Sequence, residues 1–275
     1  MLTVLVGLVT ALSYSSSDML SQRITRQTRP LTQMVWVMAF GAALIIPLAL
    51  LFKGLPGDGE WAGAGLAALA GVLYFGALLC LFQGLKTGDL GLVSALASLQ
   101  SAYVAAVVIV LGEPVTPLLA VGLVLCVCGA ILASFEGRAR SSRGASWAIL
   151  SGVLFSGVML CYAYGDLDWL SQAAISRGVS LLVAVPVALL TGSVAVPKAL
   201  RVTALGAGAL EVCGVLLLTI TFALGPATIA AVTTSQFGTF GVLLGYLLLR
   251  ERPKPNQWAG IVCTIVGVSV LTALV

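Results

Sequence analysis

Apolar residues come in long, nearly unbroken runs along this chain, roughly 2–20, 32–52, 61–82, 89–111, 117–135, 145–164, 169–191, 204–222, 227–249 and 256–275, set apart by charges and prolines. Each run is close to the ~20 helical residues that cross a ~30 Å hydrocarbon core. The strand-length alternation of a spanning barrel is absent. Lipid offers the backbone no hydrogen-bond partner, so each run must satisfy its own amides and carbonyls, and only a helix does that. The pattern predicts an all-α membrane protein of ten transmembrane helices joined by short loops.

The runs are written twice. Glu113, Gly122 and Gly129 answer Glu251, Gly260 and Gly267 at a spacing of 138, and Gly88 answers Gly225 at 137. Further back, Leu31-Thr32-Gln33 matches Leu170-Ser171-Gln172, and Ile46-Pro47-Leu48-Ala49-Leu50-Leu51 matches Val185-Pro186-Val187-Ala188-Leu189-Leu190, both at 139. The chain therefore divides into residues 1–138 and 139–275. Five crossings per half is an odd number, so the second copy enters from the opposite face. The halves are expected to form an inverted repeat about an axis in the membrane plane, an architecture suited to alternating access.

Composition adds to this picture without changing it. Sixty per cent of residues are hydrophobic, 9% are charged, and mean hydropathy is +1.11, beyond what a soluble fold of this length buries. No cleavable leader pattern stands behind the first run, which is full length for a span. Arg23, Arg26, Arg29, Lys86, Arg138, Arg140, Arg143, Lys198, Arg201, Arg250, Arg252 and Lys254 all fall in odd-numbered loops. The even side has Lys53 beside Asp58, Glu60, Glu113, Asp166 and Asp168. The positive-inside rule then places the odd loops in the cytoplasm and both termini outside, in an inner (plasma) membrane. Trp36, Trp61, Trp147, Trp169 and Trp258 lie near span starts, where amphipathic rings favour the interface.

Several chemistries are excluded. There is no histidine, G-x-S-x-G elbow, HExxH or P-loop, so neither an enzyme nor an ATP-driven motor is expected. No cofactor, metal or nucleic-acid partner is implied; the bilayer and a small-molecule substrate are. The six cysteines lie inside predicted spans and read as small buried hydrophobes. Gly122 with Gly129, Gly260 with Gly267, and Gly241 with Gly245 make small-residue faces. These serve packing within one chain or a homodimer seam.

Polarity at membrane depth marks the candidate site. Arg177 and Glu211 lie seven or eight residues into the seventh and eighth runs, where a charge costs about 2.5–3.5 kcal/mol and should face protein or water. Three readings stand: a structural ion pair, an Arg177 that snorkels to the interface, and a binding site. In the last, the planar fork of Arg177 takes a substrate carboxylate or phosphate, and Glu211 holds an ammonium group or carries a coupling proton. Through the repeat, Arg177 corresponds to Met38 and Glu211 to Tyr74, so the charges occur in one half only. Further candidates for substrate contact are Gln100 in the fourth run with Ser235 and Gln236 in the ninth, Tyr14 and Ser16 at the polar end of the first, and the aromatic walls Tyr74 and Tyr103. Asp18 is expected to pair with Arg23.

A resemblance follows from the doubled motifs. Gly225-Pro226-Ala227 and its twin Gly88-Asp89-Leu90 each open a small-residue span. Gly112-Glu113 and Arg250-Glu251-Arg252, each followed by proline and a glycine-rich last span, close the halves. This arrangement resembles the EamA-type members of the drug/metabolite transporter superfamily over essentially the whole chain. Ala11-Leu12-Ser13-Tyr14-Ser15-Ser16 is similar to that family's Ala-Leu-x-Trp-Gly-Ser stretch, with Tyr14 and Ser15 as departures where such proteins line a central cavity. The resemblance implies a secondary transporter of small metabolites such as amino acids or related zwitterions and anions, with export as the expected direction. A lipid or lipid-linked headgroup flippase on the same fold is the alternative. Members of that family are often drawn with cytoplasmic termini, whereas the charges of this chain place them outside.

Overall fold

A computed structural model describes residues 1–53, 57, 59–88, 90–112, 116–134, 144–249 and 255–273. Glu113, Glu251 and the basic loop residues Arg138, Arg140, Arg143, Arg250, Arg252 and Lys254 lie outside the described residues. The elements in chain order are α1 (Leu2–Thr25), α2 (Pro30–Phe52), α3 (Trp61–Thr87), α4 (Leu90–Ser98), α5 (Gln100–Val110), α6 (Pro117–Ser134), α7 (Ala145–Tyr164), α8 (Trp169–Thr191), a 3₁₀ turn (Lys198–Leu200), α9 (Arg201–Leu224), α10 (Ala227–Thr234), α11 (Phe237–Leu249) and α12 (Pro255–Ala273). No strand occurs among the described residues. Seven helical segments there are long and apolar enough to cross a membrane, and three shorter apolar stretches accompany them.

Two of the expected spans are interrupted. The run 89–111 becomes α4 and α5, and 227–249 becomes α10 and α11. Neither break contains proline. Around each, side chains bond back to carbonyls of the preceding turn: Ser101 Oγ to Ser98 O at 3.1 Å, Thr234 Oγ1 to Ala230 O at 2.7 Å and Gln236 Nε2 to Val232 O at 3.0 Å. Such bonds compete with the i→i−4 ladder and bend a helix. The Gln236 amide accordingly reaches only three residues back, to Thr233 O. Elsewhere the helix ends follow local chemistry. Pro30 opens α2, Asp168 caps α8 by accepting from the amides of Leu170 and Ser171, and Gly192 closes α8 at φ 64°. Pro47 and Pro186, counterparts in the repeat, sit inside α2 and α8.

The molecule is apolar outside and mixed within. Leu50, Leu51, Leu189 and Leu190 are exposed, whereas Thr10, Ser21, Gln33, Ser151, Thr221 and Thr233 are buried. A surface of this kind needs lipid rather than water against it. The cysteines divide: Cys80, Cys126 and Cys161 are buried as expected, but Cys128 and Cys213 are exposed. Cys128 is two helical positions from Cys126 and points about 160° away from it.

Packing pairs the halves. α1 packs on α9 and α3 on α7; α2 packs on α8 and on α9, α3 on α8; α6 packs on α12; α4 meets α11 and α5 meets α10. Helices α2 and α8 run antiparallel. Arg29 at one end donates to the Thr191 carbonyl, and Lys53 at the other end lies 3.9 Å from Asp168. Close approach depends on small residues. A Cβ on Gly71 would sit 2.5 Å from the Ser176 carbonyl oxygen, and one on Gly267 would sit 2.7 Å from Cys126 Sγ and 3.0 Å from Gly122 O. The Gly122 and Gly267 faces are thus used between α6 and α12 of one chain.

Candidate functional site

Three charged side chains are buried among the described residues: Asp18, Arg177 and Glu211. The sequence carries them there on helices too apolar to be placed anywhere but in the bundle, and each is turned inward because lipid would leave it unsolvated.

Arg177 of α8 reaches across to α9, and its Nη2 donates to Glu211 Oε1 at 2.8 Å. Its Nη1 lies 3.0 Å from Met38 Sδ on α2, and its guanidinium carbon sits 4.6 Å from the centre of the Tyr74 ring. Stacking a guanidinium on an aromatic face is favourable when both are desolvated. Tyr74 also donates its hydroxyl to Glu211 Oε1, and its ring meets Phe155 edge-on at 5.4 Å. One carboxylate oxygen of Glu211 thus takes both donors. The other, Oε2, has no partner among the described residues, and neither does Arg177 Nε.

Glu211 borders a cavity of about 30 Å³ between α1, α3, α5, α7, α9 and α11. This is room for a water or two, not for a metabolite. Tyr14, Asp18, Tyr74, Gln100 and Glu211 bring polarity to walls otherwise formed by side chains such as Leu78, Phe82, Phe155, Met159, Leu218 and Phe237. Tyr14 can lie there because Gly214 on α9 has no side chain: a Cβ at that position would be 2.7 Å from the ring.

The candidates from sequence therefore separate by position. Tyr14, Tyr74, Gln100 and Glu211 line the cavity, with Arg177 directly behind Glu211. Ser235 joins through Gln100, whose Nε2 donates to Ser235 Oγ at 3.0 Å, tying the α4–α5 break to the α10–α11 break. Gln236, in the break between α10 and α11, donates its Nε2 back to Val232 O of α10, Ser16 Oγ turns back to Leu12 O at 2.8 Å, and Tyr103 is half-buried on α5 and does not line the cavity. Asp18 corrects the expectation made for it. It forms no ion pair with Arg23 and lines the cavity, buried, while Arg23 is exposed. Five residues along a helix is a rotation of about 140°, so the two side chains leave opposite sides of α1. That rotation was the signal available in the sequence. The apolar walls from α7 and α11 carried no such signal.

A sequence model described as the EamA-like transporter family matches residues 1–135 and again residues 142–273. A solved crystal structure is similar over 99% of this chain and 99% of its own, with a TM-score of 0.77 at 17% identity, a likeness that shows the fold alone. No curated protein sequence matches this chain.

Proposed function

Because the chain belongs to the EamA-like transporter family, we propose that it is a secondary active transporter of ten crossings, built as two inverted five-helix repeats and moving a small metabolite, an amino acid or related zwitterion or anion, by alternating access. In this reading α4 with α5, and α10 with α11, are each one broken crossing. The odd-numbered loops face the cytoplasm, both termini lie outside, and the direction is export across the inner membrane, with a proton as the exchanged ion.

One observation carries the reading. Arg177 touches Met38, its own repeat counterpart, and Glu211 touches Tyr74, its own counterpart. Two positions related by a two-fold contact each other only when they lie beside the axis, as self-complementary contacts in a symmetric dimer do. The buried charges thus sit at the seam between halves, where a carrier of this design holds its solute. The helix contacts agree, since exchanging the halves turns α1 on α9 into α7 on α3, and α4 on α11 into α10 on α5. Glu211 faces the cavity and Arg177 supports it from behind, so Arg177 acts on the solute through Glu211.

Counterflow in proteoliposomes against amino acids, nucleosides and organic acids tests this, with wild type and Arg177→Met side by side. Saturable flux lost in a variant that still folds is the expected result. Flux unaffected by the variant reduces Arg177 and Glu211 to a structural pair. No flux with any solute, together with lipid that copurifies through detergent exchange, overturns the metabolite reading in favour of a flippase.

A further inference from the structure

Charge balance around the cavity is incomplete. Arg177 neutralises Glu211. Asp18 stands about 10 Å inside the C-terminal end of α1, is 5% exposed, and has no hydrogen bond or ion pair among the described residues. Among the described residues the elements packed on α1 bring no further cation to the cavity; Lys86 of α3 and Arg201 of α9 are exposed and do not line it. Helices α2, α4 and α10 carry no titratable residue; α3 presents Tyr74, α9 presents Glu211, and Arg177 of α8 stands behind the latter. Tyr246 of α11 points outward. Among the described residues one buried cation therefore faces two carboxyl groups, and that cluster is neutral only with one more positive charge on them.

The unused polar atoms say what could supply it. Among the described residues Glu211 Oε2, Gln100 Oε1 and Tyr14 Oη are buried without hydrogen-bond partners, and the Asp18 carboxyl opens on the same space. Three of the four are acceptors in their ionised or amide forms. A primary ammonium group has three donors and no acceptor, the complement of this set. An anion would meet two carboxyl groups and find the one guanidinium behind Glu211. The walls beside the acceptors, Leu78, Phe82, Phe155 and Phe237, suit an apolar body attached to that ammonium.

We propose that Asp18 is the exchange site of the cavity, occupied in turn by a proton and by the ammonium group of an amine-bearing solute. This rests on the transporter reading above and specifies its solute and coupling. The step balances: the O–H bond of the Asp18 carboxyl breaks as the ammonium arrives, the proton leaves to the open face, and re-protonation from the other face expels the cation. The cavity charge is the same before and after, so neither state leaves an uncompensated carboxylate in the bilayer interior.

The probes are phenylethylamine and, as the same ring with the opposite charge, phenylacetate. Added to purified protein in weakly buffered detergent with a pH-sensitive dye, phenylethylamine should bind and release protons, whereas phenylacetate should do neither. Asp18→Asn should abolish the release and Asp18→Glu should retain it. Infrared difference spectra on adding the amine should show a protonated-carboxyl band lost in the wild type and absent from Asp18→Asn. Release undiminished in Asp18→Asn, binding of phenylacetate instead of the amine, or amine binding without proton release would each overturn the proposal. Counterflow of the amine in vesicles is scored separately. Proton release without counterflow sinks the transporter reading and leaves the exchange at Asp18 standing.

Discussion

Truncating Arg177 to methionine should cost on the order of 3–5 kcal/mol, the range for removing one partner of a buried ion pair. The structure supplies the reasons. Both side chains are 2% exposed, their polar atoms are 2.8 Å apart, and the carboxylate left behind would keep only the Tyr74 hydroxyl on the oxygen now shared. At an effective dielectric near 20, a unit pair about 4 Å apart interacts by about 4 kcal/mol, so the estimate follows from the loss of one pairing without invoking the whole desolvation cost. Glu211→Gln keeps an acceptor for Tyr74 and should cost less. The double variant removes both charges and should recover about 2–3 kcal/mol relative to Arg177→Met alone. Melting followed by size-exclusion chromatography in a mild detergent reads this. At ~2–4 °C per kcal/mol for a chain of this size, Arg177→Met should lose roughly 10 °C and the double variant about half of that. A loss of only ~2 °C would match an exposed pair worth ~0–1 kcal/mol and would refute the claim that the site is desolvated. A double variant no better than the sum of its parts would refute the coupling.

Three further outcomes are expected. Gly267→Ala places a Cβ 2.7 Å from Cys126 Sγ and 2.8 Å from its backbone nitrogen, and overpacking of this kind should lower stability by about 1–3 kcal/mol; unchanged melting with altered dimerisation would instead put that face between chains. Asp168→Ala removes the α8 cap and should cost about 1 kcal/mol, while Lys53→Ala, which breaks only a half-exposed contact at 3.9 Å, should change melting by less than that; the reverse order would show that the ion pair matters more than the cap. Gly41→Ala puts a Cβ 3.1 Å from both Cδ and Nε of Arg177, so it should lower solute flux severalfold with stability changed by about 1 kcal/mol or less; unaltered flux would show that the guanidinium need not hold its place.

Much of the architecture was legible because lipid simplifies the code. A span must be apolar, helical and near one length, so hydrophobic runs locate helices even without a periodic pattern, and the observed α7 and α8 coincide with the runs 145–164 and 169–191. The interruptions of the runs 89–111 and 227–249 were hidden because the helix breaks there beside hydroxyl and amide side chains that compete with its own backbone, an effect of geometry rather than of hydropathy. Arg177 and Glu211 stood out because charge inside an apolar run is rare. Asp18 did not, since it stands at the polar end of the first run, near enough to the cytoplasmic face to read as a partner for Arg23, whereas α1 continues to Thr25.

What the sequence alone determined is the lipid solvent, the helical class and the presence of two full charges, Arg177 and Glu211, inside apolar runs. Each follows from transfer free energies, which depend on local composition. Which groups meet was decided only by the tertiary structure. Whether Arg177 faces Glu211, whether Tyr74 completes that pair, and whether Asp18 turns toward Arg23 or toward the cavity all depend on helix rotation and on approach distances set by Gly41, Gly71 and Gly214. Rotation about a helix axis leaves hydropathy unchanged but moves a side chain from lipid to a neighbouring helix, which is why the chemistry of the site appears only once the bundle is packed.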